Sequence, residues 1–272
     1  FCNSWWSWHL VKTALEKAEI KLKDIDLVAF SQGPGMGPAL RVGLSAAKDI
    51  SSESKAPVVG VNHCVAHLEV GRLLTEATDP VLLYASGANT QIIAYESGKY
   101  RIFGETLDQG IGNFIDAFAR YLGLGFPGGP KIEGIALKGK DYIQLPYVVK
   151  GMDVSFSGIL TDLKRKYDSK IHDTRNLAFS LQETVFAMLT EVSERAMAHT
   201  GKKELLLGGG VACNKRLQEM CSIMCRERKA KLFVPENQFL VDNAVMIAWL
   251  GILMKKYATK DHKRIDITPY ER

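Results

Sequence analysis

No uncharged apolar run in the 272-residue chain approaches the roughly 18 residues that a membrane-spanning helix needs, and no signal-peptide pattern opens it. A soluble, cytoplasmic protein without a membrane partner is therefore expected. Cysteine is scarce and odd in number. Cys2, Cys64, Cys213, Cys221 and Cys225 do not form a disulfide framework, and Cys221/Cys225 lack the second pair of a zinc knuckle. Reduced thiols follow. A strong charge of one sign is also missing, since 35 Lys+Arg against 30 Asp+Glu leave only +5, which permits a polyanion partner without requiring one. There is no linker or low-complexity stretch, which excludes independent beads on a string. Position 1 lacks methionine, and Trp5, Trp6 and Trp8 crowd the opening residues, so the beginning reads as that of a fragment.

What is present is a globular composition, 46% hydrophobic and 24% charged, sufficient to bury a substantial core in one large or two intimate domains. Ile25 to Phe30 reads as a buried strand, broken by Gly33-Pro34-Gly35-Met36-Gly37-Pro38 before a helical stretch from Ala39 to Ile50. Val58 to Val61 repeats the strand signal, and a helix follows over Val65 to Thr75. Val81 to Ser86, Gln91 to Tyr95 and Arg101 to Glu105 form an expected antiparallel meander. From Ile111 the pattern turns helical, breaks at Gly123 to Pro130, and continues to an amphipathic stretch over Leu177 to His199. Strand signals return at Glu204 to Leu207 and Lys231 to Val234, and a helix is expected from Asp242 to Tyr257. Alternation of strands and helices at both ends predicts an α/β fold.

Five groups of residues could carry chemistry. Leu205-Leu206-Leu207-Gly208-Gly209-Gly210-Val211-Ala212-Cys213-Asn214 reads as a buried strand, a glycine turn and the start of a helix. Such a junction lets backbone approach a nucleotide, or simply makes a tight connection. His63 and His67 stand at i and i+4, so a helix puts both imidazoles on one face within reach of a single metal ion; the other reading is one capping and one exposed histidine. Cys64 occupies the position where a zinc peptidase needs glutamate, which disfavours peptide hydrolysis by that route. Asp242, before the last helix, is an N-cap or a third, anionic ligand. Asp116 and Glu133 flank a glycine-rich break, as ribose-binding carboxylates or as helix caps. Basic residues gather at Lys138, Lys140, Lys164, Arg165, Lys166 and at Arg226, Arg228, Lys229, Lys231, as a solvated face or a phosphate-tracking one.

Together these blocks resemble the Kae/TsaD family of tRNA threonylcarbamoyladenosine synthases, in its archaeal and eukaryotic branch, over about Ile25 to Trp249. The resemblance is carried by Ser31-Gln32-Gly33-Pro34-Gly35-Met36-Gly37-Pro38, Asn62-His63-Cys64-Val65-Ala66-His67, Tyr84-Ala85-Ser86-Gly87-Ala88-Asn89-Thr90-Gln91, the block from Phe126 to Glu133, Met152-Asp153-Val154-Ser155-Phe156-Ser157-Gly158, and Gly208 to Asn214. It implies an ASKHA fold, the two-lobed architecture of actin and the sugar kinases with the ligand in its cleft. One lobe would comprise residues 1–79 and 243–272, the other residues 80–242 with a helical insertion at about 111–200, and the family's N-terminal strand and β-hairpin have no counterpart before Ile25. The implied reaction moves a threonylcarbamoyl group from its adenylate to N6 of adenosine 37 in tRNAs reading codons that begin with A, releasing AMP.

By the same resemblance, His63, His67 and Asp242, with Tyr84 near or on the ion, would hold iron or zinc. Tyr84, Ala85, Ser86, Gly87, Ala88, Asp116, Gly129, Glu133 and Asn214 would line the pocket for threonylcarbamoyl-AMP, which would also admit ATP or ADP. No catalytic side chain apart from the metal site is implied. Implied partners are tRNA and the KEOPS subunits: a RIO-type kinase, a small dimerising subunit at the N-terminal lobe and a small kinase-binding subunit. Two departures stand out: Ala88 replaces a glycine, and Asp242-Asn243-Ala244-Val245 replaces Asp-Asn-Gly-Ala. The competing expectations are an ASKHA-type ATPase or kinase and an inactive scaffold of the complex.

Overall fold

The computed structural model describes the backbone of residues 4–271 and the side chains of residues 8–271; Phe1 and the side chains of Trp5 and Trp6, on which the expected irregular beginning partly rests, and Cys2 lie outside the described residues. The chain divides into two compact units, one made of residues up to Val70 with those from Asn243 onward, the other of Gly71–Asp242.

The first unit opens with helix α1 (Ser4–Lys17) and a short turn at Leu22–Asp24, where the Lys21 amide donates to Asp24 Oδ2 (3.0 Å). That turn delays the first strand: β1 spans Val28–Gly33, later than the apolar run from Ile25 suggests, and begins where the Val28 amide bonds to the Pro57 carbonyl. Helix α2 (Gly37–Ser54) starts with Pro38 in its first turn, where a missing N–H costs nothing. It buries Leu40, Leu44, Ala47 and Ser51 at helical spacing. Strand β2 (Val58–Asn62) pairs parallel with β1, Val28 opposite Val58. Alternation along the strands sends Val28, Phe30 and Val58 to a core with Leu44 and Ala47, and Val59 and Val61 to the opposite side. Helix α3 (His63–Leu74) follows β2 without a loop.

The second unit is built on five strands. β3 (Val81–Ala85), β4 (Thr90–Glu96) and β5 (Lys99–Glu105) form the expected antiparallel meander. Helices α4 (Ile111–Tyr121) and α5 (Gly129–Ala136) come next, then a two-stranded hairpin, β6 (Val149–Lys150) and β7 (Asp153–Val154), and helices α6 (Ser157–Asp168) and α7 (Thr174–Thr200). The hairpin interrupts the expected helical insertion. Strand β8 (Glu204–Gly208), helix α8 (Lys215–Glu227), strand β9 (Lys231–Phe233) and the short helix α9 (Asn237–Leu240) complete the unit, giving the order β5-β4-β3-β8-β9.

Helix α7 departs from its amphipathic reading. It is buried round most of its circumference, through Leu177, Leu181, Val185, Met188 and Val192, but also Ser180, Thr184 and Ser193. Each of these hydroxyls has a partner: Ser193 Oγ donates to the Leu189 carbonyl (2.7 Å), Ser180 Oγ accepts from the Ile143 amide (2.7 Å), and Thr184 Oγ1 bonds to Tyr142 Oη (2.9 Å). Their polarity is the reason that the sequence looks amphipathic. The chain then returns to the first unit in helix α10 (Ala244–Leu253), whose Met246 and Leu250 pack with Val59, Val61 and Val65. Among the described residues no helix is long and apolar enough to cross a membrane.

The start of α6 is held from far along the chain. Asp108 Oδ1 accepts from the Gln109 (2.7 Å) and Phe156 (3.0 Å) amides, and Oδ2 from the Ser157 amide (2.8 Å). Burial raises the carboxyl's pKa, but the amide bonds outweigh it and hold the group below the ordinary aspartate value. A depressed pKa contributes stability above the unfolded value that is lost as pH falls through the folded one. Asp108→Asn is thus expected to cost about 1 kcal/mol at neutral pH, as loss of a helix cap does. Urea titrations should show the gap from the native chain closing as the medium is acidified below about pH 4.

Candidate functional site

Asn62, the last residue of β2, starts α3 through its side chain: Oδ1 accepts from the Cys64 (3.0 Å) and Val65 (3.1 Å) amides. The helix consequently begins at His63, two residues before the sequence suggests, and His63 and His67 lie one turn apart with ring centroids at 5.2 Å and planes at 73°. His67 is buried and His63 half-buried, with Ser31 Oγ 3.4 Å from His63 Nδ1. Asp242 is exposed. It does not cap α10; that role falls to Asn243, whose side chain accepts from the Met246 amide (2.9 Å), so the helix starts at Ala244 and the Asp242 carboxylate stands outside it.

One ligand atom each from His63, His67 and Asp242 lies within 4.8 Å of the others. Ligands of one zinc or iron ion sit about 2.0–2.2 Å from it, hence roughly 3–4 Å from each other. Modest side-chain adjustment closes that gap. Two imidazoles and a carboxylate are a donor set suited to zinc or non-haem iron, and three protein ligands leave positions for substrate. Among the described residues Cys213, Cys221 and Cys225 are free thiols; burial pushes Cys221 up to about 12, which makes it inert as a ligand or nucleophile at neutral pH.

The residues expected to line the adenylate pocket are joined by a chain of hydrogen bonds within the second unit. Tyr84 is buried in β3, opposite Gln91 on one side and Gly208 on the other, and Ala85 ends the strand. In the loop that follows, Ser86 Oγ donates to the Asn89 carbonyl (3.0 Å), while the Ser86 and Gly87 carbonyls accept from the Gly112 (3.0 Å) and Asn113 (2.9 Å) amides of α4. Gly87 and Ala88 are exposed. Further along α4, Asp116 Oδ1 accepts from the Gly128 amide (2.7 Å), which sets Gly129 at the head of α5. Glu133 of α5 accepts from the Lys215 amide (2.9 Å) at the first turn of α8, where a carboxylate also meets the positive helix end.

Asn214 is the N-cap of α8. Its Oδ1 accepts from the Arg216 (2.9 Å) and Leu217 (3.3 Å) amides, and Nδ2 donates to the buried Gln182 Oε1 (2.6 Å). Asn214 is thus a helix cap, while Asp116 and Glu133, weighed from sequence as caps, accept from backbone amides. Each still keeps polar capacity, because no further hydrogen bond among the described residues engages Asp116 Oδ2, Glu133 Oε2 or the second Nδ2 hydrogen of Asn214.

The glycine turn joins the same network. Gly209 has φ +91° and lies so close to β3 that a Cβ there would sit 2.3 Å from the Ala85 carbonyl oxygen. A short turn at Gly210–Cys213 then delivers the chain to the Asn214 cap. Sequence reading passed over Gly110, where a Cβ would lie 2.4 Å from the Gly87 carbonyl oxygen. The Gly110-Ile111-Gly112 spacing was the available signal. It also passed over Gln182, whose pairing with Asn214 is a contact that only the tertiary fold creates. Lys131 donates to the Leu124 carbonyl (2.6 Å), away from the expected pocket residues.

Order and direction of the strands, together with the likeness to a solved structure, define an ASKHA-type α/β protein. The crystal structure of T. kodakarensis HypF superposes with a TM-score of 0.75 over 94% of this chain and 44% of that one; at 15% identity the likeness is one of fold alone. The chain belongs to the TsaD family, tRNA N6-adenosine threonylcarbamoyltransferase, whose sequence model matches residues 7–249. The match begins at residue 7, well before Ile25, and so takes in all but the first three residues of α1, which carries a helical pattern and no motif. A tRNA N6-adenosine threonylcarbamoyltransferase of Thermococcus kodakarensis is 58% identical over 245 residues, 90% of this chain and 75% of the relative. A probable bifunctional tRNA threonylcarbamoyladenosine biosynthesis protein of Methanocaldococcus jannaschii is 55% identical over 247 residues, 91% of this chain and 46% of that longer protein.

Proposed function

We propose that the chain transfers the threonylcarbamoyl group of threonylcarbamoyl-AMP to the N6 amine of adenosine in tRNA, releasing AMP. The observation that carries this reading is the His63/His67/Asp242 group in a chain more than half identical to proteins named as that transferase. In this reading the three residues hold one iron or zinc ion, with Tyr84 beside it. When bound, the ion supplies a Lewis acid that polarises the acyl carbonyl. The chain's own residues orient the substrate: the Ser86–Ala88 loop and Gly129 admit the adenylate, while Asp116 Oδ2 and Glu133 Oε2 accept hydrogen bonds from ribose hydroxyls. Holding amine and acyl carbon together supplies much of the rate, and no nucleophilic side chain is needed. ATP or ADP fits the same loops, and the KEOPS subunits named above are the partners of this reading.

The test supplies unmodified tRNA, the chain, KEOPS subunits and an adenylate synthase with radiolabelled threonine. Label entering tRNA only when the chain is present, with AMP formed alongside, is the expected result. Phosphate release from ATP with no label in tRNA would instead favour an ASKHA ATPase or kinase.

A further inference from the structure

The last turns of α4 and α6 make a basic and aromatic face that the transfer reading leaves unused. Lys164 Nζ lies 5.0 Å from the centre of the Tyr121 ring and Lys170 Nζ 4.1 Å from that of Tyr167. The two tyrosine rings meet edge to face at 6.0 Å and 74°. Carboxylates nearby are already engaged: Asp162 holds Arg165 and Lys166, and Asp168 accepts from Tyr121 Oη (2.6 Å). Among the described residues Lys164, Lys170 and Arg120 enter no ion pair. A solvated charge run normally leaves its lysines mobile or neutralises them against acids. Here aromatic faces hold two ammonium groups in place and leave their charge uncompensated. Helix C-termini attract cations, but that attraction requires no aromatic bed beneath them.

Position gives this face its partner. The Gly112 amide of α4 bonds the Ser86–Ala88 loop, and Tyr121 ends the same rigid helix about 14 Å away at 1.5 Å per residue. Between α4 and α5 runs a loop whose Phe126 is 77% exposed, and whose Gly128 is tied back to Asp116. Expected adenylate residues at one end of α4, and cations held on aromatic rings at its other end, match a polynucleotide: a base at the reacting end, phosphates further along the strand. We infer that Arg120, Lys164 and Lys170, bedded on Tyr121 and Tyr167, bind the phosphodiester backbone flanking the acceptor adenosine of tRNA. The inference rests on the transfer reading.

The test compares the native chain with a Lys164→Ala/Lys170→Ala variant and a Lys164→Arg/Lys170→Arg variant, each with and without KEOPS subunits. Binding of unmodified tRNA is followed by fluorescence anisotropy across a salt series, and labelled-threonine transfer is measured in parallel. Losing two phosphate contacts should weaken binding by about tenfold near physiological salt and flatten the log K against log salt slope by roughly 1.4 to 1.8. The arginine pair should restore the slope. If the native chain binds and transfers while the alanine variant keeps the native slope, this assignment alone fails. Loss of a protein subunit with tRNA binding unchanged overturns it in favour of a protein interface. A native chain that neither binds tRNA nor transfers threonine removes the transfer reading and this face's role with it.

Discussion

Asp242→Ala is expected to weaken zinc or iron binding by on the order of 100-fold, since loss of even an outer-shell partner of a metal ligand costs 10–100-fold. The variant is a clean probe. Helix α10 is capped by Asn243, and the Asp242 side chain is exposed, so its removal leaves neither an uncapped helix nor a buried cavity. His67→Ala would be less informative, because that ring is only 2% exposed and its loss disturbs packing as well as ligation. Competition with a chromophoric chelator measures the affinity, and threonine transfer should fall in step. Full metal affinity in the variant would remove Asp242 from the ligand set; lost affinity with undiminished transfer would show the reaction to be independent of the ion.

Gly209→Ala should be the most destabilising single change at the glycine turn, by about 3 kcal/mol or more. Two costs add. A left-handed backbone at φ +91° strains any residue with a side chain, and the added carbon would stand 2.3 Å from the Ala85 carbonyl oxygen, which can move only by shifting β3. Against a typical total of 5–15 kcal/mol, that is a large share. No tryptophan falls within Gly71–Asp242, so tryptophan fluorescence does not report on this unit directly. The loss should therefore be sought in tyrosine signals or in amide exchange of β3 and β8. An unchanged unfolding midpoint there would mean that the turn relaxes to another conformation.

Local patterns made much of this protein legible. The meander of β3, β4 and β5 follows from short β-rich runs joined by turn residues, and the i, i+4 spacing of His63 and His67 suffices to put both on one helical face. Asn214 could be placed at the head of its helix from sequence as well. Contacts between distant residues were not legible. Nothing local announces that Asp108 caps α6, that Glu133 meets the first turn of α8, or that Asn243 takes the cap and leaves Asp242 outside. Helix α7 misled because its buried hydroxyls look like a solvent face until their partners are known. Asp242 joins the histidines only through folding; its sequence position alone suits a cap equally well.

The contact between α4 and the loop after β3 is made backbone to backbone, with Gly110 standing against the carbonyls of Gly87 and Ala88. The side chain at position 88 is exposed and takes no part in it. An alanine at position 88 is therefore compatible with this loop, because the smallness the contact demands comes from the opposite partner. Tolerance to change is thus uneven across a single contact. One side has space for a side chain, and the other has no room for a single carbon.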